Sequence, residues 1–240
     1  MTGTSSAVAV APVSRCLLVQ QYRPGLHLSR AEYWCYIADM AFEYLSGDPA
    51  LDLVNTVDWT SSGPAYERLE TGEDLVRWAH GAGVLPATVS ERLRRAVGRH
   101  PREASGAVEE ARAARLVLRD LFAAVAEGEP HGGPLESFNR LLADALGHQF
   151  VTPAGSRGAP AFRWTWEELE DHPRAVLRPV LWSAANLLVS TEVDRIRICG
   201  GEDCGWMYVD RSRNGLRRWC QMRTCGTREK SRRRREGLTA

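Results

Sequence analysis

Four cysteines near the C-terminus set the tightest limit on how this chain can fold. Cys199, Cys204, Cys220 and Cys225 form two C-x4-C pairs separated by fifteen residues. In a reducing cytosol such paired thiols read as a metal site before a disulfide. Four thiolates suit one tetrahedral Zn2+ ion, and a site with all four positions filled is structural rather than catalytic. The stretch between the pairs is short and polar, with Asp210, Ser212, Arg213, Asn214 and Gly215 forming a turn. It could build no core unaided, so the metal would supply its folding energy. Loss of one ligand, as in Cys220→Ser, is then expected to unfold this module and spare the rest. Cys16 and Cys35 have no partners at metal spacing and are read as incidental.

Charge is concentrated in the same place. Residues 211–235 hold eleven basic side chains against one acid, Glu229, a local charge of +10. The whole chain carries +1, so the other 215 residues sum to −9. An acidic body with a basic end is the layout of a polyanion binder. No apolar run approaches the roughly 20 residues of a membrane helix. No basic start leads into a clean apolar stretch, so a cytoplasmic protein without membrane contact is expected.

Residues 1–39 lack periodicity, and Met40 opens a better-patterned stretch. Two readings stay open for 1–39: a poorly ordered arm, or a segment ahead of the true start at Met40. Residues 40–194 are expected to form a mainly helical body. Asp48-Pro49 reads as an N-cap followed by a first-turn proline. It opens a helix that places Leu51, Val54, Asn55 and Asp58 on one face. Thr71 to Asp74 resembles a capping box for a helix ending at Gly81–Gly83. Pro86 starts another, residues 103–127 give the longest helical pattern, and Pro134 starts a further one. His148–Thr152 and Ala161–Trp166 read as a β-hairpin. His172 or Pro173 starts a helix in which Pro179 marks a bend or the first turn. Val193–Ile198 reads as a strand leading into the cysteines.

Residues 195–240 are expected to fold as a treble-clef-like finger. Cys199–Gly205 would be a tight knuckle and Trp206–Val209 a strand. Leu216–Trp219 would return as its partner, and a helix would run to about Glu236. Trp206 and Trp219 are read as the small core of this module. Arg228, Arg232 and Arg235 recur at helical spacing and share a face. Arg213, Arg217 and Arg218 project from the hairpin side. With Lys230 and Arg233 these are the candidate contacts to phosphates and guanine edges of DNA. RNA or an acidic protein is the alternative partner.

The runs Cys204-Gly-Trp-Met-Tyr-Val-Asp-Arg-Ser-Arg-Asn-Gly and Arg-Arg-Trp-Cys220-Gln-Met-Arg-Thr-Cys225-Gly-Thr-Arg228 resemble the CGNR zinc finger. The naming tetrapeptide reads Cys225-Gly226-Thr227-Arg228, with Thr in place of Asn. Leu51–Asp58, Glu73–Trp78 and Leu187–Ser190 resemble the ABATE domain that precedes this finger in its family. The resemblance implies a bacterial, stress-induced transcription regulator with an α+β N-terminal domain as ligand sensor; the basic finger likewise suggests a DNA-binding regulator, with the body as sensor or dimerisation unit.

The body shows little chemistry. Asp52, Asn55, Trp59 and Trp78 are the candidate lining of a small-molecule effector pocket. The competing reading makes Asn55 a buried residue bonding a neighbouring backbone, and Asp52 a surface acid or an arginine's partner. The six histidines are scattered, and neither a nucleophile elbow nor a phosphate loop is present, so no enzyme is expected.

Overall fold

The computed structural model describes residues 42–130, 132–154 and 161–237, which belong to one compact unit. The readings of residues 1–39 lie outside them. The fold is α+β, a helical body with small antiparallel hairpins followed by a cysteine cluster. Helix α1 (Pro49–Val54) starts where Asp48 accepts a hydrogen bond from Ala50 N. It is only six residues long, so Asp58 is not on it. The chain turns at Asn55 and Thr56 into a hairpin of β1 (Val57–Thr60) and β2 (Gly63–Glu67). The period-matching run through Asp58 hid this hairpin, although Gly63, at φ +104°, marks its turn.

Helix α2 (Gly72–Gly81) carries the complete capping box of Thr71 and Asp74. Helix α3 (Ala87–Arg99) follows Pro86, and α4 (Pro101–Glu127) is the 27-residue spine of the body. Ala104, Ala107, Ala111 and Ala114 are buried on α4. Such small side chains let neighbouring helices approach closely. Helix α5 (Gly132–Leu146) begins two residues before Pro134. Strands β3 (Gln149–Pro153) and β4 (Phe162–Trp166) form the expected hairpin. A 3-10 turn (Pro173–Val176) leads into α6 (Leu177–Leu188), with Pro179 in its first turn, where its missing N–H costs nothing.

Of the strand expected over Val193–Ile198, Val193–Arg195 is a 3-10 turn and Ile196–Ile198 is β5. Strand β6 (Met207–Val209) pairs antiparallel with β5, Ile196 opposite Val209 and Ile198 opposite Met207. The cysteine knuckle is therefore the loop of a β5–β6 hairpin. Leu216–Trp219 is not a strand, which corrects the expected pairing. The buried Asp210 carboxylate accepts from Arg217 N at 3.0 Å and Ser212 N at 2.9 Å, so it takes backbone donors that a returning strand would offer to β6. A π-turn (Met222–Gly226) then leads into α7 (Thr227–Arg235). Among the described residues, no helix is long and apolar enough to cross a membrane.

Candidate metal centre and nucleic-acid interface

Each cysteine is held by backbone geometry close to it. Cys199 leaves β5 with its N–H donating to Trp206 O at 2.8 Å. Asp203 adopts a left-handed conformation, φ +52°, that turns the knuckle toward Cys204. Cys220 N–H donates to Cys199 Sγ at 3.2 Å, and Cys225 lies in the π-turn. A Cβ at Gly201 would stand 3.2 Å from Cys225 Cβ, so glycine lets the two ligand loops meet.

The four Sγ atoms lie within 4.8 Å of one another. Cys204 and Cys220 are 3.8 Å apart, Cys220 and Cys225 3.6 Å. A disulfide needs about 2.05 Å. A tetrahedron with Zn–S bonds of about 2.3 Å has edges of about 3.8 Å, so the cluster has the size of one four-thiolate zinc site. Hydrogen bonding from Cys204 and the other thiols pulls Cys199 down, and donation toward Cys199 pushes Cys204 and Cys220 up. Four thiols this close compete for their protons, and a divalent cation would let all four ionise. Cys199, Cys204, Cys220 and Cys225 would then hold one structural zinc ion, closed to substrate.

The finger is built into the body. The Asn55 side chain donates to Met207 O at 2.8 Å and accepts from Met207 N at 2.9 Å, clamping both polar groups of one β6 residue. Val209 N–H donates to Ser46 O at 2.8 Å, and Gly205 N–H to Trp59 O at 2.9 Å. A Cβ on Gly205 would come within 2.7 Å of Trp59 Cβ, so the approach requires glycine. Arg119 lies over the Trp59 ring and donates to Gly205 O. Arg68, paired with Asp58, lies over Trp206. Met207, Tyr208, Val209 and Ile196 belong to the same buried core as α1 and α4. Asn55→Ala removes two buried hydrogen bonds and strands the Met207 amide and carbonyl. It is expected to cost about 2–5 kcal/mol in a denaturant melt. A cost below about 1 kcal/mol would mean that the clamp does not hold the strand.

Three more of the candidate effector contacts are also core residues. Asp52 accepts from Ser46 N at 3.1 Å, and burial pushes its carboxyl up to about 6. Trp59 Nε1 donates to Val54 O at 2.8 Å. Trp78 is fully buried. With Asn55 clamped on Met207, the side chains of all four are covered by protein, as the competing reading of Asn55 expects.

The basic residues separate into two groups. Arg217 is committed to the fold. It donates to Trp219 O at 3.0 Å, Leu45 O at 3.3 Å and Cys220 O, and it lies over the Tyr208 ring. Arg232 pairs with Glu229, Glu236 and Glu202, and Arg233 with Glu229. Hydrogen bonds from Arg232 and Arg233 hold Glu229 down at about 2. Among the described residues, Arg213, Arg218, Arg223, Lys230, Arg234 and Arg235 have no ion-pair partner and are exposed, and Arg228 is exposed too. Arg223 and Arg234, which are not among the candidate contacts read from sequence, share this exposure, and Glu202 and Glu236 are arginine partners that the sequence does not announce. A groove of about 380 Å3 runs beside them, lined by Leu216, Arg217, Arg218, Trp219 and Met222.

Comparison with known families gives two matches. The ABATE family model, described as a putative stress-induced transcription regulator, matches residues 47–191. The CGNR zinc finger model matches residues 195–236. A search of curated proteins finds no match.

Proposed function

We propose, from the premise that this chain belongs to the ABATE family and ends in a CGNR zinc finger, that it regulates transcription by binding duplex DNA through the basic side of that finger. The observation that carries the reading is the set of six exposed cations, Arg213, Arg218, Arg223, Lys230, Arg234 and Arg235, that form no ion pair among the described residues, on a module whose four cysteines would hold a metal ion. A folded surface of like charge is destabilising by itself, and a polyanion relieves it. Arg228 extends the same surface, whereas Arg217, Arg232 and Arg233 position it. The body serves as sensor or dimerisation unit. In fluorescence anisotropy with zinc-loaded protein, log K should fall with log salt at a slope of about −5, near −0.9 for each of about six phosphates. No binding to any duplex at low salt would sink the reading.

A second reading, single-stranded nucleic acid or RNA, is favoured by the groove. Exposed Leu216 and Met222 flank Arg218, whose guanidinium lies 5.3 Å from the Trp219 ring centre. Unpaired bases stack on such surfaces. Competition between duplex and single strand in the same titration separates the two.

A further inference from the structure

The β3–β4 hairpin leaves both of its faces largely uncovered, Phe150 on one and Val151, Phe162 and Trp164 on the other. Residues paired across an antiparallel ladder share a face, and alternate pairs share it too. One face therefore carries Gln149 with Trp166, Val151 with Trp164, and Pro153 with Phe162. None of these six residues is charged. The other face carries Phe150 with Thr165 and Thr152 with Arg163. A one-sided sheet normally turns its apolar face inward. Here Val151, Phe162 and Trp164 of the uncharged face are 51%, 69% and 64% exposed. No residue of either strand is buried, and the sheet has two strands. An isolated hairpin of that kind is marginal in water, and contiguous exposed apolar surface marks an interaction site.

We infer that the uncharged face of the β3–β4 hairpin packs against the same face of a second copy of this chain, giving a two-fold dimer. An uncharged face offers no partner to phosphates or to charged side chains, so it favours an apolar occupant over a duplex or a charged peptide. A two-fold interface needs a patch complementary to itself, which an uncharged sheet face bearing Phe162, Trp164 and Trp166 supplies. The area is also right for it. Large side chains offer about 150–250 Å2 each, so Val151, Phe162 and Trp164 leave roughly 400 Å2 uncovered per copy. Doubled, and with Pro153, Gln149, Trp166 and the rim included, the contact reaches the roughly 1,000 Å2 at the low end of specific interfaces. An interface of that size is at the low end for a specific one, so the dimer is expected to be a weak one.

This names the surface behind the dimerisation role proposed for the body, and it is tested without DNA, so it fails independently of nucleic-acid binding. Sedimentation velocity on the zinc-loaded full chain, from about 1 to 300 µM, should show a shift from monomer to dimer mass. Trp164→Arg should move the midpoint at least tenfold higher. Phe162→Glu provides a second variant should the first misfold, and circular dichroism checks both. A monomer throughout the range would overturn the inference, as would a dimer whose midpoint neither variant moves.

Discussion

Withdrawing the zinc ion, or replacing Cys220 by Ser, is expected to lower the melting midpoint of the whole unit by about 10 °C or more, in a single transition. The spacing of the cysteines suggests a separable module that unfolds alone. The packing argues otherwise, because Met207, Tyr208 and Val209 lie in the core shared with α1 and α4. Structural zinc sites carry apparent binding energies of about 10–16 kcal/mol. For a unit of this size each kcal/mol is worth about 2–4 °C, so losing even about 5 kcal/mol gives the stated shift. Differential scanning calorimetry with and without chelator reads it directly. Two resolved transitions, with the body's midpoint unchanged, would show that the finger folds apart from the body.

The second large effect concerns the cations. Changing Arg223, Lys230, Arg234 and Arg235 together to Gln should weaken duplex binding on the order of 10^2- to 10^3-fold at physiological salt, and flatten the log–log salt slope by about 3 to 4. None of the four has an ion-pair partner among the described residues, so the melting midpoint should hold. Arg232→Gln is the contrast. It removes the partner shared by Glu229, Glu236 and Glu202, and should disturb the end of α7 more than it disturbs affinity. Unchanged affinity in the fourfold variant would place the partner elsewhere.

What the chain discloses in sequence is what is decided locally. Asp48-Pro49 and Thr71–Asp74 name two helix starts, because the capping atoms lie within three residues of the amides they bind. The metal cluster is legible because ligand chemistry fixes residue type and spacing together. The β1–β2 hairpin is not, because Leu51, Val54, Asn55 and Asp58 fit a helical period that the chain abandons after Val54. The pairing of β6 with β5 escapes notice for a similar reason: the adjacent polar turn invites a hairpin with Leu216–Trp219, and a single buried carboxylate, Asp210, captures the donors first. Asn55 is beyond reach altogether. Its partner is 152 residues away, and nothing about an asparagine announces the strand it will hold.

That clamp bears on how such chains can diversify. A finger on a loose tether can be exchanged between proteins, because its interior is its own. Here strand β6 of the finger lies in a core shared with the body and is clamped there by Asn55. A recombinant that joined this finger to a foreign body would carry β6 without its clamp and leave the Met207 amide and carbonyl facing nothing. Body and finger must then be inherited together, and a transplant of the finger would have to carry the Asn55 turn with it.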